Sequence, residues 1–119
     1  MTTFPHHLAG PDDAILVVTL PLALNHDTAE PLREDVRTLL PNRDDAGLIL
    51  DCSGVSLITS IGIAALLQID EQCRDHGAPM ILAAVTAPIR RMLEILKLGG
   101  KFIITDDLDE AIQRIAEAR

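Results

Sequence analysis

Basic and aromatic side chains are scarce in this chain of 119 residues. It has no Trp and no Tyr, and its 10 Lys and Arg face 18 Asp and Glu, which gives a formal net charge of −8 with His neutral. The only adjacent basic pair is Arg90-Arg91. Proteins that bind nucleic acids hold the phosphate backbone through clustered Lys and Arg, so we expect no direct nucleic-acid partner.

Long apolar runs and export signals are missing as well. Apolar stretches such as Met80–Val85 are far shorter than the roughly 20 residues that a membrane-spanning helix needs. The segment from Met1 to His7 lacks the positive start and the apolar centre of a secretory signal. The sequence therefore predicts a cytoplasmic protein without a membrane span.

Cysteine is rare, and histidine has no metal-binding spacing. Cys52 and Cys73 are too few for a disulfide framework and form no CxxC motif, so we expect both to be reduced core residues. The four histidines form no HxH or HExxH pattern. We therefore predict no metal site and no cofactor.

The rest of the composition, 48% hydrophobic and 24% charged, is typical of one globular domain. Apolar runs alternate along the chain with segments of helical periodicity. The predicted strands are Ala14–Leu20, Gly47–Asp51, Met80–Val85 and Lys101–Ile104. The predicted helices cover residues 28–40 with Thr28 as cap, residues 62–76, the segment between Pro88 and Gly99, and the segment after Asp107.

This alternation predicts an α/β fold. Strands that are apolar on consecutive residues are covered on both faces, and crossover helices between them favour parallel pairing. We expect a small, mostly parallel sheet of four to five strands flanked by about four helices. The domain is predicted to cover residues 13–119, after a loose lead-in over residues 1–12 that contains Pro5, Gly10 and Pro11.

The segment from Asp51 to Ile63 carries most of the functional information. It follows a buried strand, and ligands and partners of α/β sheets are usually met at the carboxyl ends of parallel strands. Ser60 is expected at or just before the first turn of the next helix, where free N–H groups and the helix dipole favour a phosphate. The alternative is that Ser60 or Thr59 only caps the helix.

The residues from Asp51 to Leu67 resemble the signature of STAS domains, especially of bacterial anti-sigma factor antagonists. That signature is Asp-x-Ser-Gly-Val, four residues, then Ser-x-Gly-Leu-Gly; here Ile63-Ala64 replaces the final Leu-Gly, and Thr59 and Ile61 flank the serine. The resemblance extends over roughly residues 13–117. It implies a sheet of four or five strands with flanking helices.

The resemblance also implies a regulatory binding protein and not an enzyme. In such proteins the serine that matches Ser60 is phosphorylated by the cognate anti-sigma factor, a serine protein kinase, and phosphorylation releases that partner. A serine phosphatase restores the binding form. We take Ser60 as the phosphorylation site, with Thr59 as the second candidate, and we expect a partner-binding surface formed by Asp51, Ser53, Gly54, Thr59, Ser60, Ile61, Gly62, Asn25 and Arg90.

Two alternatives stay open at this point. The first is a STAS subunit of a stress-signalling scaffold or of a lipid-transport complex without a simple phosphorylation switch. The second is a hydrolase that uses Ser60, His26 and Asp51, which the absence of a Gly-x-Ser-x-Gly motif disfavours. A homodimer is compatible with either.

Overall fold

A computed structural model describes residues 2–118. Its strands are β1 (His6–Ala9), β2 (Ile15–Thr19), β3 (Ala23–Leu24), β4 (Gly47–Asp51), β5 (Leu57–Ile58), β6 (Met80–Ala83) and β7 (Ile103–Thr105). Its α-helices are α1 (Ala29–Leu39), α2 (Ser60–Asp75), α3 (Ala87–Ile95) and α4 (Leu108–Glu117), and a short 3-10 turn occupies Pro11–Asp13. Within residues 2–118 no helix is long and apolar enough to span a bilayer.

Five strands form the main sheet in the order β1-β2-β4-β6-β7. β1 is antiparallel to β2, and the other neighbours pair in parallel. The single α/β domain with a mostly parallel sheet is therefore confirmed. The last strand begins two residues later and ends one residue later than predicted, and Phe102, which precedes it, is buried in the core.

Both faces of the sheet are covered, which explains the consecutive apolar residues of β2, β4 and β6. Leu48 and Leu82 belong to the core on one face, together with buried residues of α1, α2 and α3. Ile49 and Ile81 point to the opposite face, where α4 supplies Ala111 and Ile115. This two-sided burial follows from the alternation of side chains along a strand.

The N-terminal segment differs from the loose lead-in that the sequence predicts. β1 adds to the sheet edge, and the backbone N–H groups of Thr3 and Phe4 donate to the carboxylate of Asp35 on α1 at 2.8 to 3.0 Å. Phe4 and Asp35 are both buried. Pro5 and Gly10 indicated a loop, but these partners are about thirty residues away in the chain and leave no local signal.

Candidate functional site

The loop after β4 lies at the carboxyl edge of the main sheet and is fixed by backbone hydrogen bonds. The N–H of Cys52 donates to the carbonyl of Ala83 on β6 at 2.8 Å. The carboxylate of Asp51 accepts from the N–H of Ser53 at 3.0 Å, and Ser53 and Gly54 are exposed. The loop is therefore held at its base and exposed at its tip.

A second, two-stranded sheet joins this loop to the segment that precedes α1. β3 and β5 pair in parallel, with Ala23 opposite Leu57. The N–H of Leu57 donates to the carbonyl of Leu22 at 3.2 Å, and the N–H of Thr59 donates to the carbonyl of Leu24 at 3.0 Å. Two segments more than thirty residues apart in the chain thus form one surface at the start of α2.

Gly62 is the residue that permits this close approach. It is buried in the first turn of α2, and a Cβ atom at this position would lie 2.3 Å from the carbonyl oxygen of Leu24. No side chain larger than hydrogen fits against that backbone group. Glycine is thus required here by contact with β3, whereas Gly54 has open space around it.

Thr59 and Ser60 have different roles at the helix start. Thr59 is the N-cap residue, and its hydroxyl accepts from the N–H of Gly62 at 3.3 Å. Ser60 is the first helical residue and is exposed, and among residues 2–118 nothing forms a hydrogen bond with its hydroxyl. The cap that the sequence left open between these two residues is therefore Thr59.

The partial positive charge at the N-terminus of α2 is not neutralised by acidic residues of the helix. The first turn of α2 contains no acidic residue. The N–H groups of Ser60 and Ile61 precede the first intrahelical bond, which the N–H of Ile63 makes to the carbonyl of Thr59. The helix dipole and these N–H groups favour an added negative group on or beside Ser60.

Each of the three segments that meet here carries one exposed large apolar side chain. These are Leu22, 68% exposed, Leu57, 51% exposed, and Ile61, 50% exposed, and we call them the apolar rim. Exposed apolar groups close together on one surface are typical of protein interfaces. The sequence interpretation included Ile61 but missed Leu22 and Leu57, because a single leucine outside a periodic segment gives no local sign of whether it is exposed.

Asn25 lies next to this surface and is half-buried. Its side-chain oxygen accepts from the N–H of Asp27 at 3.0 Å, and its N–H donates to the hydroxyl of Thr28 at 2.9 Å. Thr28 in turn donates to the carbonyl of Ala23 at 2.9 Å and makes no side-chain cap to α1. Thr28 is thus the N-cap residue of α1, as predicted, but its hydroxyl stabilises the turn that follows β3 and does not bond to an N–H of the helix.

Arg90 lies on another part of the carboxyl edge. Its guanidinium is 3.7 Å from the carboxylate of Asp106, in the connection between β7 and α4. The link between α3 and the loop after β4 is instead the hydroxyl of Thr86, which donates to the carbonyl of Val55 at 3.3 Å. The structure therefore joins the segment of Asn25 to the start of α2 through the small sheet, places Asp51, Ser53 and Gly54 in the loop before that sheet, and pairs Arg90 with Asp106 instead.

The residues weighed for hydrolysis do not form a catalytic arrangement within the described chain. The imidazole of His26 is 3.2 Å from Asp27 and largely exposed, and neither group contacts Ser60. The Cys52 thiol in the same loop stays protonated and is therefore a poor nucleophile. Burial, and to a lesser extent the charge of Asp51, raises its pKa to about 12.

Comparison with known proteins agrees with this geometry. The pattern of the STAS domain family matches residues 9–111. This chain belongs to the STAS domain family. The resemblance inferred from the signature between Asp51 and Leu67 is thus confirmed.

Solved STAS domains share the fold. A candidate anti-sigma factor antagonist from Thermotoga maritima is 21% identical, with a TM-score of 0.80 over 94% of this chain and 93% of that one. The anti-sigma factor antagonist SpoIIAA, in its unphosphorylated form, is 19% identical, with a TM-score of 0.74 over 95% and 97% of the two chains. A sulfate transporter family protein from Wolinella succinogenes is 19% identical, with a TM-score of 0.75 over 90% and 88%.

Proposed function

We propose that this STAS domain is a cytoplasmic anti-sigma factor antagonist controlled by phosphorylation of Ser60. In its unphosphorylated form it binds an anti-sigma factor that is also a serine protein kinase, and this binding frees a sigma factor for transcription. Phosphorylation of Ser60 releases the partner, and a serine phosphatase restores the binding form. The domain acts by binding and needs no catalytic residue of its own.

One observation carries the proposal: an exposed serine hydroxyl without a hydrogen-bond partner among residues 2–118 stands at the start of α2, in the same surface as the apolar rim. A kinase can reach such a hydroxyl without breaking any contact of the fold. Thr59 is a poorer acceptor, because its hydroxyl is half-buried and already caps Gly62.

The same surface explains why a phosphate would release a partner. Burial of Leu22, Leu57 and Ile61 against another protein removes water from the vicinity of Ser60. A phosphoserine carries about −1.5 to −2 charges at neutral pH. A charge of this size in a desolvated interface costs several kcal/mol unless the partner supplies a cation.

The proposal is tested by titrating the cognate kinase-type anti-sigma factor with four forms of the protein in a calorimeter. We expect Ser60→Asp to weaken binding about 100-fold or more, and Ser60→Ala to change it by less than about threefold. Thr38→Asp, which adds the same charge to an exposed position of α1, is the matched control and should bind like wild type. Equal binding by Ser60→Asp and Ser60→Ala would refute the switch.

The acceptor is tested separately with the kinase and radiolabelled ATP. Ser60→Ala should abolish phosphate incorporation, while Thr59→Val should retain it. Incorporation that survives in Ser60→Ala and disappears in Thr59→Val would move the switch to Thr59.

A second candidate is a STAS subunit of a stress-signalling scaffold or a lipid-transport complex. It is favoured by the flanking residues Thr59 and Ile61 and by the similar fold of a sulfate transporter family protein. Light scattering on the native complex separates the two functions, because the antagonist predicts a small complex or a homodimer and the alternative predicts a stable multi-subunit particle.

A further inference from the structure

The free edge of the main sheet offers a second surface, away from Ser60. β7 is the last strand of the sheet, and its backbone pairs with β6 on one side. The carbonyl of Thr105 accepts from the N–H of Ala84 at 3.0 Å and so points towards β6. Since backbone groups alternate along a strand, the N–H and C=O of Ile104 point outwards and can pair with an added strand.

A groove of about 440 Å³ runs along this edge. Its lining includes Ile103 and Ile104 of β7, Arg90 and Glu94 of α3, and Arg114 of α4. Ile103 is 42% exposed, so the strand also presents apolar surface to solvent.

The two arginines lie on opposite faces of the sheet. Ile104 pairs with Leu82, whose side chain belongs to the core under α1 to α3, whereas Ile103 pairs with Ile81 on the face that α4 covers. Arg90 therefore flanks the edge from the α3 face and Arg114 from the α4 face. A strand added here would have a guanidinium beside each of its two faces.

The charge of the groove selects the kind of occupant. The whole chain has a net charge of −8, yet the groove contains two arginines and a single acidic residue, Glu94. The ion pair of Arg90 with Asp106 is 3.7 Å long, and the Asp106 side chain is 84% exposed, so another carboxylate can replace it at little cost. Pairing with the same edge of a second copy would bring like charges together, which disfavours self-association through β7.

We propose that the β7 edge binds an extended acidic segment of another protein as a sixth strand. Two consecutive acidic residues in that segment would point to opposite faces, one towards Arg90 and one towards Arg114. The Ile104 backbone would supply the hydrogen bonds, and Ile103 would supply apolar contact. The groove shares no lining residue with Ser60 or the apolar rim, so we expect both partners to bind at once.

The test uses two synthetic peptides, TVTEEVTV and its counterpart TVTKKVTV, titrated into ¹⁵N-labelled protein. We expect the glutamate peptide to bind roughly tenfold more tightly than the lysine peptide. Chemical-shift changes should centre on Ile103 and Ile104, and the Ile104 amide should become protected from hydrogen exchange. Ser60→Asp should bind the glutamate peptide like wild type.

Charge reversal makes the test independent of any loss of stability. The double variant Arg90→Glu, Arg114→Glu, checked for folding by far-UV circular dichroism, should prefer the lysine peptide instead. Arg37→Glu on α1 is the control and should leave the preference unchanged. The proposal would be overturned by equal binding of the two peptides, by shifts away from β7, by no binding, or by binding only to vesicles of equal phosphatidylglycerol and phosphatidylcholine. In each case the arginines would serve only to keep the free edge from pairing with other strands.

Discussion

The N-termini of α2 and α4 are built differently. At α4 the carboxylate of Asp107 accepts from the N–H of Glu110 at 2.8 Å, and the Glu110 side chain accepts from the N–H of Asp106 at 3.2 Å. With Asp109 also in the first turn, this helix end is neutralised by its own residues. At α2 the cap is a neutral threonine, and the first turn contains no acid.

This difference distinguishes a helix end that its own acidic residues neutralise from one that they do not. The acidic cluster at residues 106–110 attracts attention in the sequence, but the carboxylate of Asp107 already accepts from the N–H of Glu110, and the negative charges of the cluster oppose a bound anion at this helix end. The start of α2 is less conspicuous in composition, and no acidic residue in its first turn neutralises its dipole.

Among variants at the two helix starts, Gly62→Ala is expected to have the largest effect on the free energy of unfolding. The added methyl group would overlap the carbonyl of Leu24 and displace the start of α2 from β3. We expect a loss of about 2 to 3 kcal/mol of unfolding free energy, as for overpacked cores. Urea unfolding followed by circular dichroism measures it, because the chain lacks Trp and Tyr. Gly54→Ala, which meets open space, should change stability by less than about 0.5 kcal/mol.

The next largest effect compares the N-cap residues of the two helices, Asp107 and Thr59. Asp107→Ala removes a short, charge-assisted cap and should cost about 1 kcal/mol. Thr59→Ala removes a neutral hydrogen bond of 3.3 Å and should cost about 0.5 kcal/mol. The same urea titrations compare them, and a larger loss for Thr59→Ala would show that α2 depends on its cap more than α4 does.

The smallest effect on the free energy of unfolding is expected from adding a negative charge at the N-terminus of α2. Ser60→Asp should raise the unfolding free energy by about 0.3 to 1 kcal/mol at low ionic strength, and salt should reduce the gain. Asp109→Ser at α4 should lower it by a similar amount. A destabilising Ser60→Asp would show that the start of α2 does not favour an anion. A stabilising one, combined with lost partner binding, would separate the switch from any damage to the fold.

The sequence was sufficient for the elements with strong local signals. The continuous apolar runs of β2, β4 and β6 predicted buried parallel strands, and the periodicity of all four helices was visible. β1 could not be predicted, because His6 and His7 give it no apolar run and it depends on pairing with β2 and on Asp35. β3 and β5 have two residues each, too few to show any period.

The candidate site was predicted only in part, because some of its features also depend on contacts between segments that are distant in the chain. The signature placed Ser60 and Gly62 correctly at the start of α2, but the physical need for Gly62 is the carbonyl of Leu24, which only the fold brings there. Exposure of Leu22 and Leu57 depends on the small sheet that they border. Arg90 was predicted to lie in the partner-binding surface, and only the tertiary structure shows that it faces Asp106.

The contact between Gly62 and Leu24 has a further consequence for how a signal at Ser60 would be read. Because α2 is in direct contact with β3 at Gly62 and the N–H of Thr59 bonds to the same carbonyl of Leu24, the helix start, the cap and the small sheet are packed as one unit. A chemical mark on Ser60 would then change the electric potential of the surface without changing its shape. The added charge would act directly on the approaching partner, without a conformational change in this domain.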